Sequence, residues 1–121
     1  MNVELTKEQQ KALLDLARAS IRRVLEKNKK PEAAVTDPVL KEKRGAFVTL
    51  KVDGRLRGCI GYPLPYKPLY LTVSEMAVAA ATQDYRFRSL QKAELPRTQI
   101  EISVLSLPQE IKDPNKIEVG R

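Results

Sequence analysis

Cys59 is the only cysteine of the chain, and it stands in Arg55-Leu56-Arg57-Gly58-Cys59-Ile60-Gly61-Tyr62 with two arginines and two of the five glycines. A thiol attacks or exchanges electrons as its thiolate, and a neighbouring guanidinium favours that form. Cys59 is therefore the candidate nucleophile or redox group, with Arg57 or Arg55 as the cation that activates it. The same stretch suits binding. Gly58 and Gly61 leave the backbone open to close approach, and Arg57 can hold an anion. A plainer reading stands beside both: a buried cysteine is commonly an inert small side chain.

Two further stretches carry usable groups. Tyr62-Pro63-Leu64-Pro65-Tyr66-Lys67-Pro68-Leu69-Tyr70 holds three tyrosines stiffened by three prolines. Such rings either form a wall of a recognition site, Tyr62 first among them, or pack on the body of the domain. Asp84-Tyr85-Arg86-Phe87 reads as a turn. Asp84 and Arg86 are placed to pair with each other or to reach the glycine strand, and both are candidate ligand-binding residues.

The sequence contains no histidine. A Cys-His pair, a Ser-His-Asp triad and a histidine zinc site are thereby excluded within it. One cysteine also excludes a multi-thiolate metal site, so neither a metal nor a cofactor is expected. Acid–base work falls to Asp, Glu, Lys, Tyr or Cys. The net charge of +7 and a pI near 9.7 permit a phosphate-rich partner. Nucleic acid ranks last among the partners, because tryptophan is absent, aromatics are few and no known nucleic-acid motif is present. A small anionic ligand or a protein partner ranks above it.

With 121 residues, 42% hydrophobic and 31% charged, the expectation is one soluble domain, residues 1–121. No apolar run approaches the roughly 20 residues that span a membrane, and no charged-then-apolar leader opens the chain. The lone cysteine rules out an intrachain disulfide. A cytoplasmic, membrane-free protein is expected.

The elements that position these groups follow from pattern. Thr6 and Gln9 form a capping-box signature, and Leu13, Ala17, Ile21 (or Ser20), Val24 and Leu25 recur at helical spacing, so a helix is predicted over 7–28. Lys27, Lys29 and Lys30 close it, as a solvated helix end or a phosphate patch. Residues 29–45 form a connector with Pro31 and Pro38, long enough to contain a short helical turn. Strands are predicted over 46–52, 55–62 and 99–106, and a second helix over 68–83, opened by proline. Its alanine run, Ala77–Ala81, lets it lie close to a neighbour. A short helical piece over Leu90–Leu95 should stop at Pro96, and Ile117–Val119 reads as the start of another strand.

The turn between the first two strands decides what they display. A two-residue turn at Asp53-Gly54 pairs Val52 with Arg55. A three-residue loop, Val52-Asp53-Gly54, pairs Lys51 with Arg55 and separates the faces better: Val48, Leu50, Leu56 and Ile60 on one, Phe47, Thr49, Lys51, Arg55, Arg57 and Cys59 on the other. The three-residue loop is the expectation. The third strand beside the first then gives an antiparallel sheet in order 2-1-3. The fold class is α+β, an antiparallel or mixed sheet packed with helices.

Gly45-Ala46-Phe47-Val48-Thr49-Leu50, Leu56-Arg57-Gly58-Cys59-Ile60-Gly61-Tyr62, Lys67-Pro68-Leu69, Asp84-x-Arg86-Phe87 and Ile100-Glu101-Ile102-Ser103-Val104-Leu105 together resemble the AMMECR domain family, over nearly the whole chain. The Leu-Arg-Gly-Cys-Ile-Gly string is that family's hallmark. The resemblance implies an α+β domain with no settled activity, often encoded near or fused to Memo-like and radical-SAM proteins. It also implies a binding or active site at Arg57, Gly58, Cys59 and Gly61. Two departures accompany it. Tyr85 stands where the family has proline, and the family's domain runs on beyond Val119-Gly120, so the chain is expected to be its N-terminal and central part.

Overall fold

In the computed structural model, which describes residues 5–27 and 35–106, the order of elements is α1 (Lys7–Lys27), β1 (Ala46–Val52), β2 (Arg55–Tyr62), α2 (Leu69–Thr82), a 3-10 helix (Lys92–Arg97) and β3 (Thr98–Val104). The capping box closes reciprocally: Gln9 N–H donates to Thr6 Oγ1 at 3.0 Å, and Thr6 N–H donates to Gln9 Oε1 at 2.9 Å. Two of the helix's otherwise orphan donors are satisfied in this way. The apolar stripe buries Leu13, Ala17 and Ile21, and Ser20 with them. Ser20 finds its partner in Ser74 of α2, with 2.7 Å between the hydroxyl oxygens. The pair satisfies two buried hydroxyls where the helices meet.

The sheet is antiparallel in order β2-β1-β3. Strand bounds follow the sequence closely, β3 beginning one residue early and ending two early. Leu105 N–H nevertheless still donates to Gly45 O at 3.0 Å. The core takes the even-numbered residues of β1, namely Ala46, Val48, Leu50 and Val52, with Leu13, Ala17 and Ile21 of α1 and Val73, Ala77 and Ala80 of α2. The helices therefore cover one face of the sheet. Phe47, Thr49 and Lys51 of β1, with Cys59 and Gly61 opposite them, occupy the other.

The hairpin departs from the expected three-residue loop. Val52 pairs with Arg55 across a two-residue turn. Asp53 (φ 53°) and Gly54 (φ 83°) both lie in the left-handed region, the arrangement of a type I′ turn whose twist matches that of the strands. The register then shifts between Leu50 and Lys51: Lys51 faces Leu56, but Leu50 faces Gly58. Arg57 is the extra residue, a β-bulge. From Gly58 onward the bulge returns the faces to the expected parity, so Cys59 sits opposite Thr49 and Gly61 opposite Phe47. Before it the parity is reversed. Leu56 does not join Val48, Leu50 and Ile60 but stands 43% exposed, and Arg57 leaves the row of Cys59.

Elsewhere the connector includes a turn at 38–41, and Leu40 is buried. Amides at the start of α2 hold it in place: Leu69 N–H donates to Glu42 O at 2.7 Å and Tyr70 N–H to Leu40 O at 2.9 Å. The helical piece before β3 starts later than expected, and Pro96 lies inside it rather than ending it. A short 3-10 segment tolerates the missing donor because few of its amides have a partner within it. Lys29, Lys30 and the strand expected at Ile117–Val119 lie outside the described residues.

Gly58 is where α2 and β2 touch backbone to backbone. A Cβ there would overlap the carbonyl oxygen of Ala80, whereas a Cβ at Gly61 would meet the ring of Phe47, which is 38% exposed and free to turn away. Overpacking a rigid contact costs about 1–3 kcal/mol. Gly58→Ala should therefore lose at least that much in guanidinium denaturation, and Gly61→Ala measurably less. Equal losses would mean that the α2 backbone yields.

Candidate functional site

Cys59 lies half-buried on the helix-free face. Its Sγ is 3.2 Å from Thr49 Oγ1, directly across the strand pair. Its backbone meets the turn that follows α2. Cys59 N–H donates to Asp84 Oδ2 at 2.9 Å, and Arg86 Nη2 approaches Cys59 O at 3.5 Å. β2 is an edge strand, so the Asp84–Arg86 turn occupies, at this one residue, the place of a neighbouring strand.

The turn is held by Asp84 itself. Its Oδ1 accepts from the Arg86 amide at 3.1 Å and from Arg86 Nε at 2.9 Å, and its Oδ2 accepts from Arg86 Nη2 at 2.7 Å. Asp84 is buried, with its side chain 4% exposed, while that of Arg86 is 46% exposed. The Arg86 guanidinium, and after it the Cys59 amide, hold the Asp84 carboxyl well below the usual carboxylate range, against the opposing effect of burial. Phe87 underlies the guanidinium at 5.4 Å, and Phe87 N–H donates to Asp84 O at 3.0 Å. Tyr85, at the position where the family resemblance gives proline, is 95% exposed.

Arg57 is not brought to Cys59. The bulge turns it toward the 3-10 helix, where Nε and Nη2 donate to Glu94 Oε2 and Oε1 at 3.2 and 3.0 Å. Nη1 and Nη2 also donate to the carbonyls of Arg88 and Ser89 at 2.7 and 3.2 Å. Both partners are largely buried, at 13% and 19% side-chain exposure. This bidentate pair lowers the Glu94 carboxyl from its ordinary value, assisted by the Gln91 amide and opposed by burial. Glu94 escaped the sequence reading. Its signal is Gln91-x-x-Glu94, a capping box that the 3-10 helix does close.

The remaining candidates are distributed along β2. Gly58 is filled from behind by α2, and Gly61 lies beneath Phe47. Tyr62 stacks edge-on with Tyr66, centroids 6.4 Å apart, under the Lys67 ammonium at 5.1 Å. Lys67 also pairs with Glu75 at 2.6 Å. The tyrosine loop is thus partly packed on itself, while Tyr66 stays 64% exposed. Among the described residues no three Cys, Asp or Glu side chains converge to hold a metal ion, and no helix is long and apolar enough to cross a membrane. The structure therefore brings together Cys59, Thr49, Asp84 and Arg86 and keeps Arg57 apart.

Three comparisons bear on what this arrangement belongs to. The AMMECR1 family model matches residues 14–121. Protein MK0488 of Methanopyrus kandleri is 44% identical over 130 residues, covering all of this chain and 63% of its own length. A Thermotoga maritima protein is 43% identical over 90 residues, covering 73% of this chain and 52% of its own. The crystal structure of the uncharacterized protein PH0010 from Pyrococcus horikoshii superposes with a TM-score of 0.78 at 35% identity, over 97% of this chain and 63% of that one. The chain thus spans less than two thirds of the length of these relatives.

The Asp84 clamp gives a pH signature. Its folded-state pKa lies below the unfolded value near 3.8, so its contribution is fully present above about pH 5 and fades as pH falls through 4 toward 2. Asp84→Asn should be less stable than the native chain at pH 7, with the gap closing across that acid window in denaturant titrations. A gap independent of pH would show that the carboxylate's charge is not what holds the turn.

Proposed function

The chain belongs to the AMMECR1 family, and from that membership we propose that it is a binding module whose recognition surface is the corner of the sheet at Phe47, Thr49, Cys59 and Gly61, bordered by Asp84 and Arg86. One observation carries this reading: among the described residues no helix lies over the sheet face that holds Cys59, and its residues differ from one side to the other. Toward β3 it is an ordinary solvated face, with Gln99 and Ser103 exposed and Lys51 paired to Glu101 at 3.2 Å. Toward β2 it presents a 38% exposed phenylalanine lying over Gly61, and a thiol. An antiparallel sheet that turns one side to water is normally polar along that side. An apolar corner with a half-exposed guanidinium beside it fits a protein segment carrying an apolar anchor and an acidic group. The Memo-like and radical-SAM proteins implied by the family resemblance are the first partners to test.

A second reading, Cys59 as an active thiol, loses Arg57, one of its two proposed activators. Arg57 is engaged by Glu94 and two carbonyls, and none of these 121 residues is a histidine that could serve as a base. In the binding reading the thiol is an apolar contact.

The test is titration calorimetry of the chain with a Memo-like protein from the same genome, alongside maleimide labelling of Cys59. Phe47→Ser should weaken association at least tenfold, since anchors of this kind dominate interfaces. Gln99→Arg, on the polar side of the same face, should leave it unchanged. Folded protein should label at Cys59 no faster than denatured protein. Faster labelling when folded would favour the active-thiol reading, and association that ignores Phe47→Ser would remove this corner as the docking surface.

A further inference from the structure

The tip of the β1–β2 hairpin holds a group of side chains that the thiol corner does not use. Val52 pairs with Arg55 on one side and with Thr98 on the other. Arg55 and the Arg97–Thr98 junction therefore flank it about 10 Å apart, two strand spacings. The Arg97 end is anchored. Arg18 donates to the carbonyls of Leu95 and Thr98 at 2.9 and 2.6 Å, and Thr98 Oγ1 donates to Glu94 O at 2.8 Å. Between the two arginines lies a concave space of about 490 Å³, lined also by Asp53, Leu56, Arg57 and Glu94. That volume is within the range of small-molecule sites.

The charges in this cleft do not cancel. Arg57 and Glu94 satisfy each other in a bidentate pair. Arg97 leans on Asp53, with Nη2 donating to Oδ2 at 2.7 Å and Nε to Oδ2 at 3.2 Å. Both of those side chains are exposed, and an exposed ion pair is worth little. Arg55 is exposed as well, and among the described residues it makes no salt bridge or side-chain hydrogen bond. Its charge nevertheless reaches Asp53, whose carboxyl is lowered first by the Arg97 hydrogen bond, opposed by desolvation, and then by the charges of Arg97 and Arg55. One carboxylate thus sits between two guanidinia, a place better suited to a multiply charged phosphate. Leu56 stands beside them 43% exposed, because the bulge at Arg57 reverses the parity of the tip. We propose that the cleft binds a nucleoside di- or triphosphate. Its phosphates displace the Asp53 carboxylate and bridge Arg55 and Arg97, and its base lies on Leu56. Inorganic phosphate alone would leave Leu56 and most of the space unfilled.

Calorimetric titration of the full chain with ADP, inorganic pyrophosphate, adenosine and a short oligouridine tests this. ADP should bind at submillimolar concentration, pyrophosphate more weakly, and adenosine not measurably. Arg55→Gln and Arg97→Gln should each weaken ADP about tenfold, the scale of one charge-assisted contact. Leu56→Ser should weaken ADP and leave pyrophosphate unchanged. Asp53→Asn should tighten ADP, because it removes the competing carboxylate and asparagine tolerates the φ of 53° at that position. Lys11→Gln, on α1, should change nothing. Every substituted side chain is exposed, so the fold survives these changes. The proposal falls if ADP does not bind at millimolar concentration, or if pyrophosphate binds as tightly as ADP. It falls equally if Lys11→Gln weakens ADP as much as Arg55→Gln does, which would mean attraction to net charge alone. Binding of oligouridine without binding of ADP also overturns it, and would identify a nucleic-acid surface instead.

Discussion

The rest of the structure depends on the contact between Gly58 and the Ala80 carbonyl. Helix α2 can lie against β2 at backbone distance because β2 has no side chain at that point and the facing turn of the helix is built of alanines. Three consequences follow from this approach. The α2 C-terminus is held level with Cys59, so the turn after it delivers Asp84 to the Cys59 amide. The inner face of the hairpin is filled by helix rather than by its own side chains. And Cys59, next in line, points to the opposite side, away from α1 and α2. A single missing Cβ thus couples the packing of the domain to the display of its thiol.

Around that contact, charge does the local fastening. Asp84 and Glu94 are largely buried carboxylates, and each is matched by a forked guanidinium and by a backbone amide. Breaking such a pair leaves an uncompensated charge out of water, which is far costlier than losing an exposed ion pair. The exposed pairs Lys11–Asp15 and Arg97–Asp53 contribute little by comparison. Arg57 of the hallmark string and Arg86 of the turn after α2 therefore have different partners and different neighbourhoods. Arg86 stays half-exposed beside Cys59, and Arg57 is withdrawn from it.

Much of this fold was legible because local signals agreed. The capping box and the alternation of β1 each specify one outcome whatever their tertiary setting, whereas Asp53-Gly54 marks the hairpin without fixing its loop length. Order 2-1-3 followed from chain connectivity. The bulge was not legible. A two-residue turn plus an inserted residue and a three-residue loop present the same parity from Gly58 onward, and only the tie from Arg57 to Glu94, 37 positions away, distinguishes them. For the same reason Cys59 was placed correctly beside Thr49 and Phe47 while Leu56 and Arg57 were not. Gly58 could be suspected of a close approach, and the alanine run could be read as a close-packing helix. That each is the other's partner is a long-range fact, absent from either stretch alone.

The bulge at Arg57 makes β2 a strand with two phases. Its tip, Arg55 and Leu56, alternates in one sense, and its base, from Gly58 to Tyr62, alternates in the other. Substitutions at the tip therefore alter a surface that shares no face continuity with the thiol corner, even though the two lie within one strand. Each half can drift in composition without forcing changes in the other. A lengthening or shortening of the tip by one residue could be absorbed at the bulge before it reached Gly58. The hairpin acts as a phase joint, insulating the close-packed geometry of the helix contact from changes at its exposed end.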